Sequence, residues 1–277
     1  MTLRDVLRRA TQFLAAKGVD SPRLDAELLL ARALGKTRVE LYTDYARPLN
    51  RHELQTYRAL ILRRGRREPL AYILGEWGFR RLTLRVDRRA LVPRPETEIV
   101  VERCLELLRE LEQPDVLDVG VGSGAIALAI ADEHPAARVT AIDSSEEALA
   151  LARENAESTG LAARVRFLHH DFHRGLGPSE FDLVVSNPPY VTAGEIETLQ
   201  PEVRDWEPRA AVVGNGATRA VAGAATEALR PGGWLVLETA ADKATEIVAL
   251  LEELGYREIR MTKDLSDLER VVEGRKA

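Results

Sequence analysis

From Pro114 onward, short apolar runs alternate with longer amphipathic ones, and this alternation constrains the fold more than any other feature. "DVLDVG" (115–120), "RVTAID" (138–143), "RVRFL" (164–168), "FDLVVS" (181–186) and "GGWLVLET" (232–239) have the length and apolar content of buried strands. Between them lie "GAIALAIADEH" (124–134), "SSEEALALARENAESTG" (144–160) and "ATRAVAGAATEALR" (217–230), each with helical spacing of its apolar residues. Ser144 and Glu147 stand at capping-box spacing before the second of these helices. "KATEIVALLEELG" adds a final helix, with "YREIRMT" and "LERVVEG" as closing strands. Apolar strands separated by helices predict an α/β fold whose largely parallel sheet is covered on both faces.

The first 74 residues read differently, as a helical region. Thr2 and Asp5 can form a capping box, and so can Asn50 and Glu53. Ser21-Pro22 predicts a helix start, and Gly18 and Gly35 predict stops. "EWGFRRLTLRVDRRALVPRPETE" (76–98) has short extended stretches that suggest a hairpin. The predicted organisation is a helical domain (1–74), a hairpin linker and pocket wall (75–98), and an α/β domain (99–277). Charge follows the same division. Residues 1–80 carry 16 Lys+Arg against 9 Asp+Glu, whereas the chain as a whole has a net charge of −5. Arg63, Arg64, Arg66 and Arg67 read either as part of a patch that steers an acidic partner or nucleic acid, or as a solvated helix end. A single cysteine, Cys104, leaves no intrachain disulfide and no cysteine-cluster metal site. No apolar run has the length of a bilayer span, and the N-terminus lacks a signal-peptide pattern, so a cytoplasmic chain is expected.

In such sheets ligands bind beyond the carboxyl ends of the strands. Gly120, Val121, Gly122, Ser123 and Gly124 form a glycine-rich turn there. The same turn satisfies the G-x-G-x-x-A form of a dinucleotide fingerprint, so it permits NAD or FAD as well as another nucleoside cofactor. Asp143, ending the second strand, can accept from both hydroxyls of a ribose or cap a helix. Asp118 can brace the loop or receive an ammonium group. In "HHDFHRG" (169–175), Asp171 can accept from an adenine amine and Phe172 can lie against its ring. His169, His170 and His173 match no metal-ligand spacing, and no metal is expected.

"VVSNPPYV" (184–191) decides between cofactor classes. Two prolines cannot continue a sheet ladder, so the chain is halted stiffly at the strand end. The oxygen of Asn187 and the carbonyl of Pro188 together offer two acceptors to a planar –NH2, and Tyr190 offers a flat wall. An amide or aromatic amine held this way, in line with a sulfonium methyl, needs neither a nucleophilic side chain nor a strong base.

These residues resemble the protein-(glutamine-N5) methyltransferases of peptide chain release factors, the PrmC/HemK family. The resemblance is carried by "EPLAYILGEWGF" (68–79), "LVPRPETE" (91–98), "LDVGVGSGAIALA" (117–129), "AID" (141–143), "DF" (171–172), "VVSNPPYV" and "KDLSDLERVVEGR" (263–275), and it spans essentially the whole chain. It implies a class I S-adenosylmethionine-dependent methyltransferase: a Rossmann-like, seven-stranded, mostly parallel sheet with an N-terminal helical domain. The implied donor is S-adenosyl-L-methionine, with S-adenosyl-L-homocysteine as product. The implied acceptor is the GGQ glutamine of class 1 release factors, with no membrane or nucleic acid required and a monomer expected. Cofactor contact is implied for the 120–124 loop, Asp143, Phe172 and Asn187, and substrate contact for Asn187, Pro188, Pro189 and Tyr190. Of these, Asn187, Pro188 and Tyr190 carry the chemistry, and Arg94, Pro95, Glu96 and Thr97 form pocket wall. Asn215, Thr239-Ala240 and Asp267 depart from the family's usual residues. The competing readings are an N6-adenine or other amino-directed DNA or RNA methyltransferase, and a noncatalytic binding module.

Overall fold

The computed structural model describes every residue except Pro178, Ser179 and Asn215, so the departure at Asn215 lies outside the described residues. The described chain forms two compact units, one comprising Met1–Gly75 with Gln200–Trp206 and the other Glu76–Leu199 with Glu207–Ala277.

The first unit contains helices Leu3–Ala16, Pro22–Leu34, Arg38–Thr43, Arg51–Gly65 and Leu70–Leu74, joined by the short helix Pro201–Arg204. Capping boxes start three of them: Thr2 with Asp5, Thr37 with Glu40, and Asn50 with Glu53. In each, the cap side chain accepts from an otherwise orphaned amide, and the acid reaches back to the cap residue's own N–H. Ser21 begins the second helix without a side-chain cap, leaving Pro22 to set the start, and Gly35 ends it in the left-handed conformation. Leu3, Leu14, Leu29, Leu30 and Leu41 are fully buried in the unit's apolar cluster.

Two arginines at the end of Arg51–Gly65, Arg64 and Arg67, turn inward. Arg64 is only 6% exposed. Its Nε donates to Asp25 at 2.7 Å and its Nη1 to Glu202 at 2.7 Å. Arg67 grips the same Glu202 with two donors, at 2.7 and 2.6 Å, and Arg63 pairs with Glu68. The reading as a solvated helix end is therefore corrected for Arg64 and Arg67, whereas the Arg63 side chain stays 43% exposed beside Glu68 and Arg66 is exposed. A buried cation needs opposing charge, and Asp25 and Glu202 supply it. Burial nonetheless outweighs Arg64 at Asp25 and raises its pKa.

In the second unit, Glu76–Phe79 (β1) and Leu82–Arg85 (β2) form an antiparallel hairpin. The main sheet contains Asp115–Val119 (β3), Arg138–Asp143 (β4), Val165–His169 (β5), Phe181–Ser186 (β6), Leu229–Glu238 (β7), Arg257–Lys263 (β8) and Glu269–Arg275 (β9). Its order is β5-β4-β3-β6-β7-β9-β8, and β9 alone runs against its neighbours. Side-chain alternation distributes the strands between two cores. Val116, Leu183, Val185 and Val236 face helices Pro95–Leu108, Ala125–Glu133 and Glu146–Ser158. Leu117, Val184, Leu235 and Leu237 face helices Ala217–Ala228 and Ala244–Glu253. Each such side chain contributes about 1.5–3 kcal/mol by leaving water.

Helix Glu146–Ser158 is capped by Ser145, whose hydroxyl accepts from Ala148, and not by Ser144 as the spacing predicted. The reason lies one residue earlier: Asp143 takes the Ser145 amide and shifts the helix start by one position.

Candidate active site

Strand order reverses between β3 and β6, the position where doubly wound sheets open a crevice at their carboxyl ends. A cavity of about 490 Å³ lies there, within the usual range for small-molecule sites. It is lined by Gly120, Val121, Gly122 and Ser123 after β3, Asp143 at the end of β4, Phe172 after β5, and Asn187 and Pro189 after β6. The fold thus brings most of the sequence candidates together. Among the described residues, Gly124, Pro188 and Tyr190 do not line this cavity.

The glycine loop is built from backbone hydrogen bonds. Gly120 and Val121 both donate to the carbonyl of Ile142 at 2.9 Å, and Gly122 donates to Asp143 Oδ2 at 3.0 Å. Gly120, Gly122 and Gly124 have φ of 81°, 54° and 90°, which side chains with a Cβ rarely adopt. Gly124 serves packing: a Cβ there would stand 3.0 Å from Leu128 Cδ1. Asp118 braces the following helix, its Oδ2 accepting from Ala127 at 3.1 Å. Its Oδ1 is buried without a partner, and burial, reinforced by Asp143, pushes the carboxyl up to about 7.

Asp143 uses one lone pair of each oxygen on backbone, Oδ2 for Gly122 and Oδ1 for Ser145. A carboxylate has about four acceptor positions, so one per oxygen remains for a vicinal diol. Phe172 and His173 follow, ring centroids 4.4 Å apart, and Asp171 accepts from the His173 amide. His169 and His170 bond instead to the carbonyls of Ser144 and Gly175. Among the described residues no group of three His, Cys, Asp or Glu side chains could hold a metal, and no helix is long and apolar enough to cross a membrane.

The loop after β6 is held from several sides. Val191 donates to Val212 at 3.2 Å, and Gly214 donates back to Val191 at 3.1 Å. Lys243 Nζ donates to the Tyr190 carbonyl at 2.6 Å. Asn187 directs its Nδ2 toward Thr97 Oγ1, 3.5 Å away. The Tyr190 phenol is raised in pKa by burial and, secondarily, by Glu238. Arg94, on the cavity wall, donates to both oxygens of Glu207 at 2.7 and 2.8 Å. Pro95 and Glu96 open the helix that carries Thr97.

Sequence reasoning passed over Glu238, Gly214 and Asn155. The last donates to the Ser123 carbonyl at 2.8 Å and so braces the glycine loop from helix Glu146–Ser158. Gly214 immediately precedes the departure at Asn215, and only the pairing of Val191 with Val213 brings it beside the loop after β6. The other departures are accommodated locally. Ala240 has φ −71°, which needs no glycine, whereas Asp267 sits at φ +62°.

A cavity of this size, a loop that admits close backbone approach, free acceptor positions on Asp143 and an aromatic face at Phe172 fit an adenosyl cofactor. Fold and cavity together define a class I S-adenosylmethionine-dependent methyltransferase. A structure of a T. thermophilus 16S rRNA N2 G1207 methyltransferase, in complex with AdoMet and guanosine, matches with TM-score 0.54 at 22% identity, covering 73% of this chain and 50% of that one. Residues 5–75 match the PrmC N-terminal domain and residues 98–202 the methyltransferase small domain. The release factor glutamine methyltransferase of Caulobacter vibrioides is 44% identical over 99% of this chain and 96% of its own length. That of Geobacter sulfurreducens is 43% identical with the same coverage. The chain belongs to the release factor glutamine methyltransferase family.

Proposed function

We infer that this protein methylates the side-chain amide nitrogen of the GGQ glutamine in class 1 peptide chain release factors, converting S-adenosyl-L-methionine to S-adenosyl-L-homocysteine. One observation carries the reading: kinship to release factor glutamine methyltransferases extends over 99% of a chain whose strand-end amide, Asn187, lines the same cavity as Asp143.

The donor, when bound, supplies a methyl group activated by a sulfonium. The protein's part is to hold and orient. Asp143 and the 120–124 loop hold the nucleoside, with Phe172 against its base. The oxygen of Asn187 and the carbonyl of Pro188 accept from the two amide hydrogens, polarising a nitrogen that is otherwise a poor nucleophile. Pro189 and Tyr190 stiffen and shape this clamp. Once the nitrogen has taken the methyl and become cationic, its proton leaves readily, so no strong base is required beforehand. The helical unit is assigned to recognition of the release factor. A monomer acting in the cytoplasm belongs to the same proposal, and light scattering of the purified protein tests the oligomeric part.

The test is to offer labelled S-adenosylmethionine with a purified release factor, DNA or RNA. Mass analysis should place one methyl on the GGQ glutamine. Label entering only nucleic acid would overturn the assignment, and no transfer to any acceptor would favour a noncatalytic module.

A further inference from the structure

The end of β7 buries a carboxylate directly behind the proposed amide clamp. Glu238 is 3% exposed, and its Oε2 has no hydrogen-bond partner. Ser186 pairs with Leu237, which sets Glu238 beside Asn187 at the ends of adjacent strands, and the Thr97 hydroxyl and the Asn187 side-chain amide both favour the charged form of its carboxylate. Asn187 Nδ2 also points at Thr97 Oγ1. The charged groups around Glu238 are Glu96, which opposes its ionisation, and Arg270, which favours it; the Tyr190 phenol also senses it. Arg270 is itself held by Asp264 at 2.9 Å.

An ionised carboxylate can only accept hydrogen bonds. It therefore demands the hydroxyl proton of Thr97, which leaves the Thr97 oxygen able only to accept. Both neighbours then require Asn187 to turn its –NH2 inward. The carbonyl oxygen is the prong left for the cavity that Asn187 lines. We propose that Glu238, acting with Thr97, is a positioning residue that sets which end of the Asn187 amide meets the substrate. This rests on the methyl-transfer reading above.

Protonation would undo the arrangement. A neutral Glu238 can donate to Thr97, and Thr97 can then donate to the Asn187 oxygen, allowing the amide to turn over. Burial pushes the Glu238 carboxyl up to about 7, so the change falls within the working range.

Two measurements test the proposal. In single-turnover transfer to a purified class 1 release factor at saturating S-adenosylmethionine, the parent rate should rise with pH through a midpoint of about 7. Glu238→Gln should be about tenfold or more slower and insensitive to pH over that range, with affinity for S-adenosylhomocysteine within about twofold by calorimetry. Thr97→Val should behave alike, and Thr97→Ser should recover most of what Thr97→Val loses. Glu238→Gln at the parent rate and with the parent profile, or Thr97→Val as active as Thr97→Ser, would overturn it. The second measurement needs no substrate. The Asn187 side-chain amide resonances, identified by their loss in Asn187→Ala, should titrate with pH in the parent and not in folded Glu238→Gln. Resonances that do not titrate in the parent would sink the proposal whatever the acceptor proves to be. A parent that titrates but leaves release factors unmethylated would overturn the functional assignment alone.

Discussion

Gly214 lies against the carbonyl of Pro189 so closely that a Cβ on residue 214 would stand 1.7 Å from that oxygen. No side chain fits such a gap, so the two strands of loop separate if residue 214 carries one. Gly214→Ala should therefore displace the segment following Asn187 and Pro188 while leaving the distant core intact. A misplacement of about 1 Å at a reacting centre costs on the order of a hundredfold in rate. Single-turnover methylation, with far-ultraviolet circular dichroism as the folding control, provides the check; a rate near that of the parent would show that the loop can yield without harm.

Asp143→Ala should weaken binding of S-adenosylhomocysteine by about 1–3 kcal/mol, the worth of two charge-assisted hydrogen bonds. The structure adds a second effect, because the Gly122 and Ser145 amides also lose their acceptor. Asp143→Asn keeps the shape but sets an –NH2 against one of those N–H groups, and should not rescue. Calorimetry on folded variants decides; unchanged affinity in either would remove Asp143 from the cofactor site.

Asn187→Ala should lower methyl transfer by about a hundredfold or more, as expected when an acceptor aimed at the reacting group is lost. Asn187→Asp would place a second carboxylate beside Glu238, where two like charges resist ionising together. Its activity at about pH 8 should be no better than that of Asn187→Ala, and should recover in part as the pH is lowered and the pair takes up a proton. Rates measured across pH for both variants make the comparison, and an Asp variant that is fastest in alkali would contradict it.

Arg64→Ala should cost about 3–5 kcal/mol of stability, since the buried Asp25 would lose its cation, while Glu202 would keep only Arg67. Arg64→Lys should recover only part, because an ammonium cannot reproduce the guanidinium fork. Urea unfolding of the full chain measures both.

Asp118 and Glu238 are acids whose folded pKa, about 7 in each case, lies above their ordinary values. The folded state therefore binds more protons than the unfolded one between about pH 4 and 7, and stability should fall as pH rises across that window, levelling above it. The slope approaches about 1.4 kcal/mol per pH unit for each group. Glu202, whose pKa is lowered despite burial, contributes the opposite trend below that window. Asp118→Asn should flatten the fall, which urea unfolding at a series of pH values would register. An equally steep fall in the variant would place the titration elsewhere.

How far these features could be read from residue order depends on the range of the interactions that build them. Capping boxes at Thr2 and Asn50 are three-residue patterns and were visible; the one at Thr37 has the same spacing and was simply passed over. The glycine loop, Asp143, Phe172 and Asn187 all follow strand ends, so the alternating pattern placed them on one rim of the sheet before any contact was known. The partners 20 to 140 residues away had no comparable signal. Glu238 reads as the last residue of an apolar strand, and only the pairing of β6 with β7 puts it behind Asn187. Arg64 reads as one of four basic residues at a helix end, and only Glu202, 138 residues later, shows that it faces inward.

The excursion of Gln200–Trp206 into the helical unit also has a temporal consequence. A ribosome delivers residue 75 long before residue 206, and at typical synthesis rates of about 5–20 residues per second the interval is on the order of ten seconds. Throughout that time Arg64 and Arg67 have emerged without Glu202, the carboxylate that both of them grip. The N-terminal helices can collapse early, but the pairs of Arg64 and Arg67 with Glu202 close only after the strands β3 to β6 have been made.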